Sequence, residues 1–173
     1  MVEVALLLCI AGIVLAVTLP TFLKSVRTSK VAEATVQLEA LYRASAAYYW
    51  TAHLLPEGKH ARQCLPAAAG PTPERPSPDP VGVDFTSPQT QGSESWSALG
   101  FNPSVPLRYR YSFLPDEAGC SLGSVKGKRL LMLRAEGDLD GDGEYSTFER
   151  SFATDEDGRL IPSRLLLVRD RTE

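Results

Sequence analysis

The sequence lacks the features that indicate nucleic-acid binding or a zinc site. It has no cluster of lysines and arginines, and 21 acidic residues outnumber 18 basic ones, which gives a net charge of −3. Proteins grip nucleic-acid phosphates through clustered basic side chains, so this class of partner is not expected. Histidine is scarce, because His53 and His60 are the only two, and neither lies near paired cysteines as a zinc site would require.

The residue patterns typical of enzymes are missing as well. The sequence shows no combination of Ser, His and Asp or of Cys and His, no glycine-rich phosphate loop, and no convincing pair of catalytic carboxylates. We therefore expect neither catalysis nor a small-molecule substrate.

Charge is almost absent from the first 23 residues, where Glu3 is the only charged residue. Residues 4–23 form an apolar run, and as a helix of about 1.5 Å per residue this run spans about 30 Å, enough to cross a bilayer. A cleaved signal peptide is the alternative. Such a peptide has basic residues before its apolar core, whereas here Glu3 precedes the core and Lys24 follows it.

Two residues are unusual for a simple membrane anchor. Glu3 is an isolated carboxylate at one end of the apolar run, and inserting it unpaired costs on the order of 2 to 3 kcal/mol. Pro20 lies inside the run and lacks the amide that would bond the carbonyl of Ala16. Together with Gly12, it predicts a stretch in which the helix can loosen.

Beyond Pro20 the pattern remains helical and becomes amphipathic, so residues 1–53 are predicted to form one long helix. The apolar face comprises Val31, Ala34, Leu38, Leu41, Ser45, Tyr48 and Ala52. The polar face comprises Lys30, Glu33, Glu39 and Arg43. A domain of this size covers only the second half of such a helix, so the first half is expected to protrude and to need lipid or copies of itself to bury it.

The N-terminal residues resemble the corresponding segment of type IV pilins and of the related type II secretion pseudopilins. The resemblance covers about fifty residues and is carried by residues 1–7 (MVEVALL), 10–13 (IAGI) and 19–24 (LPTFLK). Its most specific element is the seventeen-residue spacing from Glu3 to Pro20, with Gly12 in register between them.

This resemblance implies that Glu3, Gly12 and Pro20 serve in filament assembly. It also implies that Glu3 lies at the cytoplasmic end of an inner-membrane helix and that everything after Lys24 lies outside the cytoplasm. In the family, the mature chain starts four residues before the acid, after a prepilin peptidase removes a short basic leader. Because Met1 is two residues before Glu3, the leader and the first two mature residues are expected upstream of Met1.

The middle of the chain, residues 54–95, is predicted to be a proline-rich connecting loop, since residues 65–80 alone contain six prolines. Of the three cysteines, Cys9 lies in the apolar run and is expected to act as a small hydrophobic residue. If the C-terminal part lies outside the cytoplasm, Cys64 and Cys120 are expected to form a disulfide; two free thiols are the alternative.

Residues 96–173 are predicted to form an antiparallel β-sheet domain. Runs rich in β-forming residues occupy 107–114, 129–135, 145–153 and 159–168. In the first run Leu107, Tyr109, Tyr111 and Phe113 alternate with polar residues, as in a strand with one buried face. The expected fold is therefore α+β and pilin-like, with the long helix packed on roughly four antiparallel strands.

An acidic loop between the second and third predicted strands resembles the calcium loop of EF-hands. Its first, third, fifth, ninth and twelfth positions carry oxygen-bearing side chains, those of Asp138, Asp140, Asp142, Ser146 and Glu149. Gly143 holds the sixth position, where the loop turns sharply, and the carbonyl of Glu144 is the seventh-position ligand. No helices flank the loop, so Glu149 is open to an alternative role on a strand. An Asp-Gly turn without metal is the alternative for the whole loop.

The resemblance predicts a structural filament subunit, and the proline-rich segment favours a minor pilin of a type IV pilus, a filament used in adhesion and twitching motility. A type II secretion pseudopilin is the alternative, since a calcium loop near the C-terminus also occurs in its main subunit. A membrane-anchored calcium-binding domain that does not polymerise is a further alternative. The expected partners are copies of the chain and other pilins, with an inner-membrane stage before assembly into an extracellular pilus or a periplasmic pseudopilus.

Overall fold

A computed structural model of the protein describes the backbone of residues 2–122 and 129–170 and the side chains in these ranges except those of 2, 4–9, 19–29 and 163–165. In chain order the elements are α1 (Val2–Trp50), β1 (His53–Leu54), β2 (His60–Ala61), β3 (Ala69–Thr72), α2 (Ser93–Leu99), β4 (Arg110–Pro115), β5 (Arg129–Gly137), β6 (Ser146–Thr154) and β7 (Leu160–Arg169). The fold is α+β, with an N-terminal helix packed against an antiparallel sheet.

The main sheet has five strands in the order β3-β4-β5-β6-β7, so each strand pairs with its neighbour along the chain. Strands β4 to β7 correspond to the four runs predicted from the sequence. The fifth strand, β3, comes from the segment 54–95 that was predicted to be a connecting loop, and this segment also contains β1 and β2. Pro71 lies within β3, which is tolerated because β3 is an edge strand with one set of backbone groups unpaired.

The second half of α1 packs on the sheet through the apolar face that the sequence predicted. Val31, Ala34, Leu38, Leu41 and Ser45 are all buried at the spacing of one helix face. The last buried residue of this face is Tyr49, whereas Tyr48, predicted for this position, is only half-buried. The helix ends at Trp50, three residues before the predicted end of the helical segment.

The first half of α1 extends beyond the domain. The backbone is helical through Gly12 and Pro20, and the side chains of residues 10–18 are exposed. The side chains of residues 4–9 and 19–23 of the predicted membrane segment, those of Cys9 and Pro20 among them, lie outside the described residues. Among the described residues, no helix has a stretch both long and apolar enough to cross a membrane.

Glu33 corrects the predicted polar face of α1, because it points at the sheet and its side chain is 13% exposed. Its Oε1 accepts hydrogen bonds from the backbone N–H groups of Arg108 at 2.8 Å and Tyr109 at 3.2 Å, and from the hydroxyl of Tyr111 at 3.4 Å. The two backbone donors lie just before β4, which begins at Arg110, and these N–H groups would otherwise need other partners. Glu33 therefore fixes the position of α1 along the sheet.

A second polar contact joins α1 to β6. The Arg150 guanidinium donates to Glu39 Oε2 at 2.9 Å and lies 6.0 Å from the centre of the Tyr42 ring. Tyr42 stacks on Phe152 with ring centres 4.7 Å apart. The helix is thus held across the sheet by Glu33 on one side and by this group on the other.

The tyrosines beneath α1 provide a pH-dependent signal for this packing. Burial raises the pKa of Tyr109, and burial together with the nearby Glu33 carboxylate raises the pKa of Tyr111 well above its usual 10.0. Both phenols should therefore stay protonated when an unfolded chain would ionise them, so the free energy of unfolding should fall as the pH rises above about 10. Burial likewise raises the pKa of Tyr49, which packs in the same core. A spectrophotometric titration at alkaline pH should therefore find three of the six tyrosines resistant until the protein unfolds. If all six ionise together while the protein stays folded, this packing is incorrect.

Candidate functional site

Three aspartates come together on the loop between β5 and β6. One carboxylate oxygen each of Asp138, Asp140 and Asp142 lies within 4.8 Å of the other two. Asp138 is nearly buried, at 9% exposure, whereas Asp140 and Asp142 are exposed. This carboxylate cluster could hold a metal ion, because its oxygens can converge on one point while solvent still reaches it.

The loop is shaped by hydrogen bonds from its own backbone to these carboxylates. Asp138 accepts from the N–H of Gly141 at 2.7 Å and from that of Gly143 at 3.3 Å. Asp142 accepts from the N–H of Glu144 at 2.7 Å. Gly141 and Gly143 have φ values of 81° and 91°, a left-handed conformation that favours glycine. The alternating Asp and Gly residues therefore turn the chain around Asp138.

Two residues that the sequence analysis did not assign to the site anchor the loop to the core. Leu139, between the first two aspartates, is 5% exposed and belongs to the main apolar cluster. Gly137, the last residue of β5, lies against the Tyr109 ring, and a Cβ at this position would come within 2.5 Å of Tyr109 Cε1. The apolar Leu139 within a run of aspartates was the available sign that one loop residue turns inward.

The remaining predicted ligands do not all join the cluster. Ser146 is fully buried and its hydroxyl donates to the carbonyl of Gly137 at 3.3 Å. The Glu144 side chain is exposed, and its backbone N–H is used within the loop. Glu149 lies on β6 directly opposite Arg134 of β5, and its carboxylate accepts a hydrogen bond of 2.6 Å from Arg134 Nε. Glu149 thus takes the alternative role on a strand that the sequence left open for it, in an ion pair with Arg134.

The electrostatics of the cluster favour a cation. Among the described residues, no lysine or arginine forms an ion pair with Asp138, Asp140 or Asp142. Three carboxylates at this separation repel one another, and hard oxygen donors of this kind suit calcium or magnesium.

Cys64 and Cys120, the pair expected from the sequence, form a disulfide. Cys64 is almost fully buried, and next to it Leu65 and Gly119 exchange two backbone hydrogen bonds of 2.9 Å. The bond joins the start of the 54–95 segment to the loop that follows β4. Disulfides persist in oxidising compartments, so this bond fits a location outside the cytoplasm.

The residues expected to serve in assembly lie on the first half of α1. Glu3 is exposed, and a Cβ added at Gly12 would meet nothing within 4 Å. The backbone of Pro20 is helical, and its side chain lies outside the described residues. The structure thus places these positions apart from the aspartate cluster, on an element whose exposed side includes Ile13 and Val17.

Comparison with known proteins identifies no relative of this chain. No protein-family model matches the chain, and no curated protein or solved structure is significantly similar to it.

Proposed function

We propose that this chain is a structural subunit of a type IV pilus, a minor pilin, that assembles through its apolar N-terminal helix and does not act as an enzyme. The observation that carries the proposal is the exposure of apolar side chains on the protruding part of α1. Ile13 is 67% exposed and Val17 is 61% exposed, and Ile10, Val14 and Leu15 are each more than half exposed. An apolar surface of this kind needs a covering partner.

The division of α1 into two halves supports assembly by copies of the chain. From Val31 onward one face of the helix is buried against its own sheet, whereas the side chains of residues 10–18 are exposed. Helices from neighbouring subunits can bury this surface around a common axis, with the sheets facing outward. The proposed inner-membrane stage before assembly rests on the sequence of residues 4–23, and the disulfide is consistent with a domain that lies outside the cytoplasm.

We further propose that the aspartate cluster binds calcium and stabilises the β5–β6 loop. The residues fit the ion in the type and proximity of their oxygens, with Asp138, Asp140 and Asp142 as the side-chain ligands. The carbonyl of Glu144 is the proposed additional ligand. Ser146 stabilises the base of the loop through the hydrogen bond that its hydroxyl donates to the carbonyl of Gly137. A bound cation would remove the repulsion between the three carboxylates.

A type II secretion pseudopilin is the second candidate function. It is favoured by the position of the aspartate cluster, which lies toward the C-terminus on the loop between β5 and β6. The two functions differ in the location of the filament, which is extracellular for a pilus and periplasmic for a pseudopilus. Filaments sheared from the cell surface should therefore contain a pilus subunit, whereas a pseudopilus subunit should remain in the periplasm. A membrane-anchored domain that never polymerises would appear in neither filament.

Ile13→Asp tests the proposed assembly surface. Ile13 is 67% exposed, so its replacement should leave the melting temperature of the domain unchanged. Burying an unpaired carboxylate between helices is costly, so the variant should be lost from filaments recovered by shearing or by subcellular fractionation. Val105→Asp is the matched control, because Val105 is 53% exposed and lies outside α1. Normal incorporation of Ile13→Asp would refute the proposal.

A further inference from the structure

Tyr109 lies between α1 and the aspartate loop, residues 138–145, which joins β5 to β6. Its ring covers Gly137, the residue before the loop, so closely that a Cβ there would come within 2.9 Å of three ring carbons. Its backbone N–H donates to Glu33 Oε1 of α1 at 3.2 Å. One residue therefore contacts the base of the loop with its side chain and the helix with its main chain.

The base of the aspartate loop is a short row of residues across the sheet. Gly137, at the end of β5, pairs with Ser146, at the start of β6, and the Ser146 hydroxyl donates to the Gly137 carbonyl at 3.3 Å. The Tyr109 ring covers Gly137 from a position one residue before β4 begins. The ring therefore lies where the chain leaves the sheet for the loop. Because the packing is close, a shift of the loop ends moves the ring.

The Tyr109 hydroxyl is buried and has no hydrogen-bond partner among the described residues. Burial raises the pKa of Tyr109, and the neighbouring Ser146 hydroxyl acts in the opposite direction, so the two hydroxyls are neighbours at the base of the loop. Ser146 donates its proton to Gly137 and keeps its lone pairs, so it can accept a hydrogen bond. A buried hydroxyl without a partner is destabilising, and a shift of the loop base can supply the partner.

On the helix side, Tyr109 belongs to one of the two polar contacts that hold α1 on the sheet. Glu33 Oε1 accepts from the backbone N–H groups of Arg108 and Tyr109, and Arg108 Nη1 lies 3.6 Å from Glu33 Oε2. The other contact, between Glu39 and Arg150 of β6, does not include Tyr109. Only the first contact shares a residue with the base of the aspartate loop.

We propose that Tyr109 couples cation binding at the aspartate loop to the docking of α1 on the sheet. This inference rests on the proposed calcium site and concerns its regulation. When the loop closes around a cation, the Tyr109 hydroxyl gains Ser146 as its partner. The ring is then fixed at the loop, and the backbone N–H of the same residue is fixed on Glu33. Such coupling is reciprocal, so loss of the Glu33 contact weakens cation binding by the factor by which the cation strengthens the contact.

Hydrogen exchange of the full chain in non-ionic detergent micelles tests the coupling directly, with calcium chloride and with a chelator. Calcium should slow exchange at the amides of Arg108 and Tyr109, which are bonded to Glu33, by at least about tenfold more than at the reference amides. The reference amides are those of Leu65 and Gly119, which are bonded to the opposite carbonyls beside the disulfide. Equal slowing at all four amides would indicate global stabilisation alone and would overturn the proposal.

Tyr109→Phe removes the hydroxyl and keeps the ring over Gly137. Without calcium this variant should be at least as stable as the unchanged chain, because the hydroxyl has no partner among the described residues. Its affinity for calcium, measured by calorimetry, should nevertheless fall by about tenfold. Tyr49→Phe is the matched control, because the Tyr49 hydroxyl is also buried without a partner there but lies near the end of α1. That variant should bind calcium as the unchanged chain does.

Substitutions on α1 test the reciprocal effect. Glu33→Ala should lower calcium affinity by about tenfold, and Glu33→Gln, which keeps an acceptor oxygen, should restore most of it. Glu39→Ala is the matched control, because it removes the other polar contact of α1 and should leave calcium affinity unchanged.

Three outcomes separate this proposal from the calcium site itself. Calcium binding that is unchanged in both Tyr109→Phe and Glu33→Ala would overturn the coupling and leave the calcium site in place. If Glu33→Ala does not fold, Tyr109→Phe and the exchange of the unchanged chain decide the question. If the unchanged chain binds no calcium at millimolar concentrations, the calcium site and the coupling both fail.

Discussion

Replacing Glu3 with alanine is expected to remove the protein from filaments without changing the stability of its folded domain. Glu3 is exposed on the protruding half of α1, so its carboxylate has no role in the packing of the sheet. In a filament the surrounding helices would exclude water, and the carboxylate would then need a cationic partner on a neighbouring subunit. The proposed partner is the N-terminal amine of that neighbour.

The expected loss can be put on a scale. Removing one member of a buried charge pair costs about 2 kcal/mol or more, which is roughly a thirtyfold loss of incorporation. Glu3→Gln should fail almost as completely, because it keeps the shape of the side chain and removes its charge. Glu57→Ala is the control, because the Glu57 side chain is 77% exposed and lies outside the helix.

Two measurements decide this prediction. Quantitative immunoblots of sheared or fractionated filaments give the incorporated fraction, and thermal melting monitored by circular dichroism gives the stability of the domain. A variant that melts normally and is absent from filaments supports the assembly role. If Glu3→Ala enters filaments as well as the unchanged chain does, the filament proposal fails at its most specific residue.

Calcium is expected to raise the melting temperature of the protein by several degrees. Asp138, Asp140 and Asp142 bring three negative charges within 4.8 Å of one another in the folded state, and an unfolded chain has no such cluster. An ion that binds only the folded form stabilises it by about 2.7 kcal/mol at a concentration one hundred times its Kd. For a chain of this size that corresponds to a shift of several degrees.

Substitutions in and around the loop separate ion binding from simple loop stability. Asp140→Asn should abolish the calcium-dependent shift and should leave the metal-free protein as stable as before or more stable, because it removes repulsion without removing bulk. Asp157→Ala is the control and should keep the calcium-dependent shift. Asp157 also precedes a glycine, but it lies in the exposed turn between β6 and β7, away from the aspartate loop. Magnesium should give little stabilisation, because it requires a tighter octahedral shell.

The structure adds a prediction for Glu149 that distinguishes this loop from a complete EF-hand. Because Glu149 is bound to Arg134 at 2.6 Å, Glu149→Gln should leave the calcium response in place. Loss of the response in this variant would mean that Glu149 leaves its ion pair to bind the metal. If a chelator leaves the melting curve unmoved and calorimetry detects no calcium binding at millimolar concentrations, the loop is a metal-free turn.

The sequence by itself determined the features that depend on neighbouring residues. The apolar face of α1 from Val31 to Ser45 follows from the helical repeat, and the four later strands follow from runs of β-forming residues. The shape of the aspartate loop is also local, because its carboxylates bind backbone N–H groups two to five residues away. Such features appear in the sequence as short-range patterns.

Only the tertiary structure decided the features that join distant parts of the chain. Glu33 has the sequence pattern of a solvent-facing helix residue, and its burial depends on backbone donors 75 residues away. Strand β3 contains Gly70 and Pro71, which are uncommon in strands, so its sequence does not predict one. It forms because the edge of β4 offers it hydrogen bonds. Glu149 matches a calcium-loop position, but antiparallel pairing sets it opposite Arg134. In each case the deciding partner is close in space and remote in sequence, so no local pattern could predict it.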